Sequence, residues 1–115
     1  MPSLSKQFNE TLTVKYIDSD DEIWTFECSL PNSRIKTSAI EASRGKRGNK
    51  QDLVAFNKTI FLACVHGWNL EEECTQSNKE EFFDPKNATL NHIAESVVNA
   101  LMEKAGQDEA EISGN

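Results

Sequence analysis

The sequence predicts an α+β fold, with an N-terminal antiparallel β-hairpin packed against a small group of helices. Three observations carry that expectation. Two early runs, Thr11 to Ile17 and Glu22 to Leu30, alternate apolar and polar residues as half-buried strands do. Between Asp52 and Leu70 the period becomes helical, with Leu53, Phe56, Ile60, Cys64 and Trp68 spaced 3, 4, 4 and 4. A second helical period starts at Leu90, with Ile93, Val97 and Leu101 spaced 3, 4 and 4. The 115 residues read as a single domain, 1–115, ordered from about 11 to 105 between a flexible N-terminal arm and a flexible C-terminal tail.

In chain order, the hairpin comes first. Leu12, Val14 and Tyr16 share one face of the first strand, and Trp24, Phe26, Cys28 and Leu30 share one face of the second. Asp18-Ser19-Asp20-Asp21 is the turn between them. A lone hairpin is marginal in water, so its apolar face must lie on the helices. Pro31-Asn32-Ser33 then breaks the strand. Ser38 and Glu41 have capping-box spacing and predict a short helix ending near Gly45, followed by a mobile basic loop to Lys50. Asp52 is the expected N-cap of the central helix and Gly67 its stop, with Trp68 folding back over the helix end. Ser77 and Glu80 form a second capping box, opening a short helix that carries Phe82 and Phe83 and ends before Pro85. Thr89 is the expected cap of a last helix from Leu90 to Ala105, stopped by Gly106.

The net charge of -7 is unevenly spread. Arg34 to Lys50 holds six basic residues and one acidic, whereas Gln51 to Asn115 holds twelve acidic and four basic. No run approaches the ~18 apolar residues of a membrane span, so no membrane partner is expected. The start, MPSLSKQFNE, lacks the basic and apolar pattern of a signal peptide. With three cysteines, an odd count, the expectation is a cytoplasmic protein with free thiols.

Chemistry-bearing residues are sparse. Cys64, His66, Cys74 and His92 invite a zinc reading. On a continuous helix, however, Cys64 and His66 point about 200° apart and cannot close on one ion. Asp18, Asp20, Asp21 and Glu22 lack the glycine and terminal glutamate of a calcium loop and read as a solvated turn. No oriented nucleophile and base can be picked out, so the chain reads as a non-enzyme without metal or cofactor. The basic segment 34–50 allows an alternative function, a small nucleic-acid-associated regulatory protein. Against it stand the absence of interleaved aromatics and the acidic remainder of the chain. Trp68 reads either as core or as an interface anchor.

The stretch Ala63-Cys64-Val65-His66-Gly67-Trp68-Asn69-Leu70 resembles the tail assembly chaperones of long-tailed bacteriophages, in which an apolar helix runs into a Val-x-Gly-Trp-Asn type sequence. An acidic loop, a Ser-capped short helix and a final amphipathic helix follow in that family, corresponding here to Glu71–Glu73, Ser77–Phe83 and Leu90–Met102. The similarity spans Asp52 to Met102 and departs from the family in the acidic loop, where Cys74 and Thr75 replace an expected glycine. It implies a protein that binds the phage tape-measure protein and helps the tail tube protein polymerise around it, in the bacterial host cytoplasm. Candidate partner-binding residues are Trp68, Asn69, Arg44, Lys46, Arg47, Phe82 and Phe83. A homo-oligomer is also compatible, because positive and negative segments share one small chain.

Overall fold

The computed structural model describes residues 11–44 and 52–113, with side chains described as far as Gly106. Its elements are β1 (Thr11–Ile17), β2 (Ile23–Ser29), α1 (Ser33–Ser43), α2 (Leu53–Cys64), β3 (Val65–Trp68), α3 (Gln76–Glu80), a 3-10 turn (Glu81–Phe83) and α4 (Ala88–Ser113). The fold is α+β, and the expected hairpin is present, with register from Thr11 opposite Ser29 to Ile17 opposite Ile23. Asp18 builds its turn. Its Oδ1 accepts from the amides of Asp20 at 2.8 Å and Glu22 at 3.0 Å. Asp21 takes the left-handed conformation, φ 60, which aspartate tolerates better than most residues.

The central helix ends earlier than its apolar period suggests. It is capped by Asp52 as expected, with Oδ1 accepting from the Ala55 amide at 3.0 Å. It stops at Cys64 rather than Gly67, and the next four residues form β3, antiparallel to β2 in a sheet ordered β1-β2-β3. Phe26 faces Trp68 and Cys28 faces Val65, with an irregularity at Glu27/Cys28 that leaves His66 as the extra residue. Three residues apart on a regular strand, Val65 and Trp68 would point to opposite faces. The bulge puts both opposite inward-facing partners. What halts the helix is a ladder on one side and Lys79 on the other. The buried ammonium of Lys79 donates to the carbonyls of Leu62 at 2.9 Å and Val65 at 3.0 Å, satisfying acceptors that the helix end leaves open.

The other helix starts also differ from expectation. Asn32, not Ser38, caps α1, its Oδ1 accepting from Ile35 at 2.8 Å. Asn32 leaves the strand in extended backbone, so the helix begins as soon as Pro31 is passed. The expected short helix is therefore present but begins before Ser38, running from Ser33 to Ser43 with Arg44 as its C-cap. Lys46 and Arg47 lie outside the described residues. Thr75, not Ser77, caps α3 through Oγ1, 3.1 Å from the Asn78 amide. Asn87 Oδ1 receives the Leu90 amide at 3.2 Å, so α4 starts before Thr89. Gly106 does not stop α4, whose backbone continues as helix to Ser113 where a flexible tail was expected. Glycine in a helix interior costs roughly 1 kcal/mol relative to alanine, which propagation can absorb.

Phe26, Ile60, Phe61, Cys64, Val65, Ile93, Val97 and Leu101 form the centre of one core between the sheet and α2 and α4. Each large apolar side chain buried there is worth about 1.5–3 kcal/mol. The expected stripe of α2 is only partly inside. Leu53 and Val54 stay 63% and 61% exposed, because the first turn of the helix runs past the core. Among the described residues, no helix is long and apolar enough to cross a membrane.

Candidate functional site: a hollow between two tryptophans

Strand alternation places Trp24 and Phe26 on the same face of β2, and β3 brings Trp68 opposite Phe26. The 3-10 turn inserts Phe82 between the two indoles. Its ring lies 5.4 Å from Trp68 at 36°, and 6.5 Å from Trp24 at 84°. Each indole is pinned by its own N–H. Trp24 Nε1 donates to Asp18 Oδ2 at 2.9 Å, and Trp68 Nε1 donates to the Glu72 carbonyl at 2.6 Å. The Trp24 bond is the main influence holding the Asp18 carboxyl below its ordinary value. Desolvation pushes the other way, and the amides of Glu22 and Asp20 reinforce the bond.

Beside these rings lies an open hollow of about 260 Å³, walled by Trp24, Trp68, Leu70, Phe82 and Leu90, with Glu72, Glu81 and Asn78 on it. A second hollow of about 470 Å³ shares Trp24, Leu70 and Glu72 and adds Glu22, Ile23, Asn69 and Glu71. Together they make one surface with an apolar floor and four glutamates, and among the described residues no basic one lines either part. Ile23 extends the apolar strip, 55% exposed.

Asn69 fastens this surface to the sheet. Its Oδ1 accepts from the Thr25 amide at 3.0 Å, and its Nδ2 donates to the Ile23 carbonyl at 2.9 Å. Its own amide donates to the Thr25 carbonyl at 3.2 Å. The side chain thus continues the ladder one residue beyond β3, and the Trp-Asn pair has a structural role independent of any partner. Gly67 is not required by space, since an added Cβ would meet Glu27 Cβ at an ordinary 3.7 Å.

Of the candidate partner-binding residues, Trp68, Asn69 and Phe82 come together here. Phe82 is only 3% exposed, so it serves as floor rather than contact. Phe83 packs against Phe61 at 5.4 Å and lines neither hollow. Arg44 sits at the end of α1 and lines neither hollow. Sequence reasoning missed Trp24, Leu70 and Leu90 as site residues, because they converge from three separate segments. Lys79 was hidden inside an apparent capping box.

The cysteine reading needs correction in its reasoning. Cys64 and His66 are not on one helix, so the angular argument does not apply. Their environments separate them instead. Burial pushes the Cys64 thiol up to about 11, with a hydrogen bond to Ser29 opposing. Burial also lifts Cys28 to about 12, aided by Cys64, Glu27 and Cys74. Such thiols stay protonated at neutral pH and make poor ligands and nucleophiles. His66 is exposed, with Nε2 2.9 Å from Ser29 Oγ. Among the described residues no group of three His, Cys, Asp or Glu side chains is placed to hold a metal ion.

No family model matches the chain, and no curated protein or solved structure matches it at the level of a recognisable relative.

Proposed function

We propose that this chain is a tail assembly chaperone of a long-tailed bacteriophage. On this reading it is a non-enzymatic binding protein that holds the tape-measure protein and assists tail tube assembly around it in the host cytoplasm. The observation that carries the reading is the site of Trp68. The residue at the centre of the Val-x-Gly-Trp-Asn resemblance is half-buried at the wall of an open apolar hollow, not sealed in the core. Exposed apolar hollows on small monomers mark binding surfaces, and an apolar groove is a common seat for helical segments. An acidic, soluble carrier with such a hollow suits a long client that would otherwise self-associate.

The test is co-expression with the tape-measure protein encoded by the same phage or prophage. Co-purification of the two, reduced by disruption of the hollow, is the expected result. Failure to capture either tape-measure or tube protein, together with salt-dependent retention of DNA or RNA, would replace this reading with the nucleic-acid-associated alternative.

A further inference from the structure

We infer that the hollow between Trp24 and Trp68 is a peptide-anchoring site that takes one bulky apolar side chain from a partner segment flanked by Lys or Arg. The inference rests on the binding-protein reading above and specifies the chemistry its partner must carry.

The apolar half follows from the walls. Both indole N–H groups are already bonded within the chain, so the tryptophans offer a ligand only their ring faces. Leu70 and Leu90, both half-buried, complete an aliphatic side. A hollow of about 260 Å³ is of the order of one large side chain rather than a cofactor. The walls are also fixed in advance. Trp24 is tied to the turn, Trp68 to the acidic loop, and both lean on buried Phe82. Little conformational freedom is lost when a ligand enters, which favours affinity.

The basic half follows from the rim. Glu72 and Glu81 border the first hollow, Glu22 and Glu71 the second, and all four are exposed. Among the described residues, no Lys or Arg offsets them along either lining. An acidic segment or a nucleic-acid backbone would meet uncompensated repulsion there. A segment with Lys or Arg on both sides of its anchor would be steered in and held, with the indole faces available for cation–π contact.

The experiment uses the full chain and three labelled synthetic peptides of about 15 residues, long enough for partial helicity. The first has a central Phe in an Ala background flanked by Lys. The second replaces Lys by Glu, and the third replaces Phe by Ala. Fluorescence anisotropy of the label and emission of the tryptophans are both read. The expected result is saturable binding of the Lys-flanked Phe peptide with a change in tryptophan emission, and at least tenfold weaker binding of the other two. The double variant E72K/E81K should bind the first peptide at least tenfold more weakly, while E41K/E103K, with the same change in charge, should not. Equal losses in the two double variants, or equal binding with and without Phe, would overturn the inference. So would sedimentation showing that the chain self-associates through the hollow, which E72K/E81K then abolishes. If E72K/E81K fails to fold, the three peptides on the unaltered chain still decide. Tape-measure capture that survives in a folded E72K/E81K variant sinks this site and spares the proposed function. Peptide binding without tape-measure capture does the reverse.

Discussion

Lys79 offers the sharpest test of how the fold is held. The residue is buried, 8% exposed, and its ammonium donates to two carbonyls at the C-terminal end of α2 and the start of β3. Lys79→Met keeps the aliphatic stem and removes the charge. Two charge-assisted hydrogen bonds are lost, each ordinarily worth about 1.5–3 kcal/mol, and two carbonyls lose their donor. The cation also complements the negative end of the α2 dipole, worth up to ~2 kcal/mol in a partly buried setting. Against this, methionine escapes the desolvation cost of a buried ammonium, which is several kcal/mol. The net expectation is a loss of about 2–3 kcal/mol, on the order of 10 °C in Tm for a domain of this size. Urea unfolding followed by tryptophan emission measures it, and the loss should barely change with added salt, because the pair is shielded from solvent. A variant within ~0.5 kcal/mol of the parent would show that the β3 ladder alone ends α2 and that the reasoning about Lys79 is wrong.

Other expectations follow from the same geometry. Trp68→Ala removes a half-buried indole that lies tilted on Phe82 and edge-to-face with Phe26 and should cost about 3 kcal/mol by urea unfolding; a loss below 1 kcal/mol would make Trp68 purely a surface residue. Asn69→Ala breaks the clasp on Thr25 and Ile23 but leaves their backbone groups near water, so a loss of about 1 kcal/mol is expected; hydrogen exchange at Thr25 should rise. Cys28 and Cys64 titrate near 12 and 11 in the fold against 9 ordinarily. The unfolded chain therefore releases these protons first, so the contribution of the two thiols to stability should be flat below pH 9 and be lost as pH rises from there through 11. An unchanged urea midpoint across that range, or rapid alkylation of all three thiols in native protein, would contradict the burial. Replacing Arg44, Lys46 and Arg47 by Ser should leave the unfolding midpoint nearly unchanged, within ~1 kcal/mol, since Arg44 is exposed and glycines flank the other two in sequence, and solvated charges stabilise little; a large drop would make this segment structural.

Parts of this were readable from the sequence for clear physical reasons. Alternation over Thr11 to Ile17 and Glu22 to Leu30, on both sides of an Asp-rich turn, has few competing interpretations, and the hairpin is formed by these two runs. Asp52 stood directly before a helical period and does cap it. β3 was not readable, because Trp68 lies four residues after Cys64 and mimics one more helical turn. The bulge at His66 shifts the strand's own period from two to three over Val65 to Trp68, erasing the alternation that would have exposed it. The misassigned caps share another cause. At 32 versus 38, 75 versus 77 and 87 versus 89, the true cap is the earlier polar residue in each pair. The direction in which the chain leaves the preceding element selects it, and local spacing carries no record of that direction. The site was half visible: Trp68 and Asn69 sit on a recognisable stretch, while Trp24, Leu70 and Leu90 reach it only through tertiary packing.

The Trp68-Asn69 pair joins fold and binding in a way that decides which variants are informative. Asn69 bonds β2 directly, and Trp68 walls the hollow while stacking on Phe82, which is itself core. Any change at Trp68 therefore loosens the sheet and the hollow together. Lost binding in that variant does not distinguish a missing contact from a missing wall. Glu72 and Glu81 are different, because both residues are exposed and only the Glu72 backbone carbonyl holds an indole. Charge reversal there alters what the hollow attracts while leaving its walls in place. If partner capture fails at the rim and at Trp68 alike, recognition is made by the surface. If it fails only at Trp68, the residue acts through the fold, and the binding face lies elsewhere. The next patch to examine is then the exposed Ile40, Leu53 and Val54 on α1 and α2.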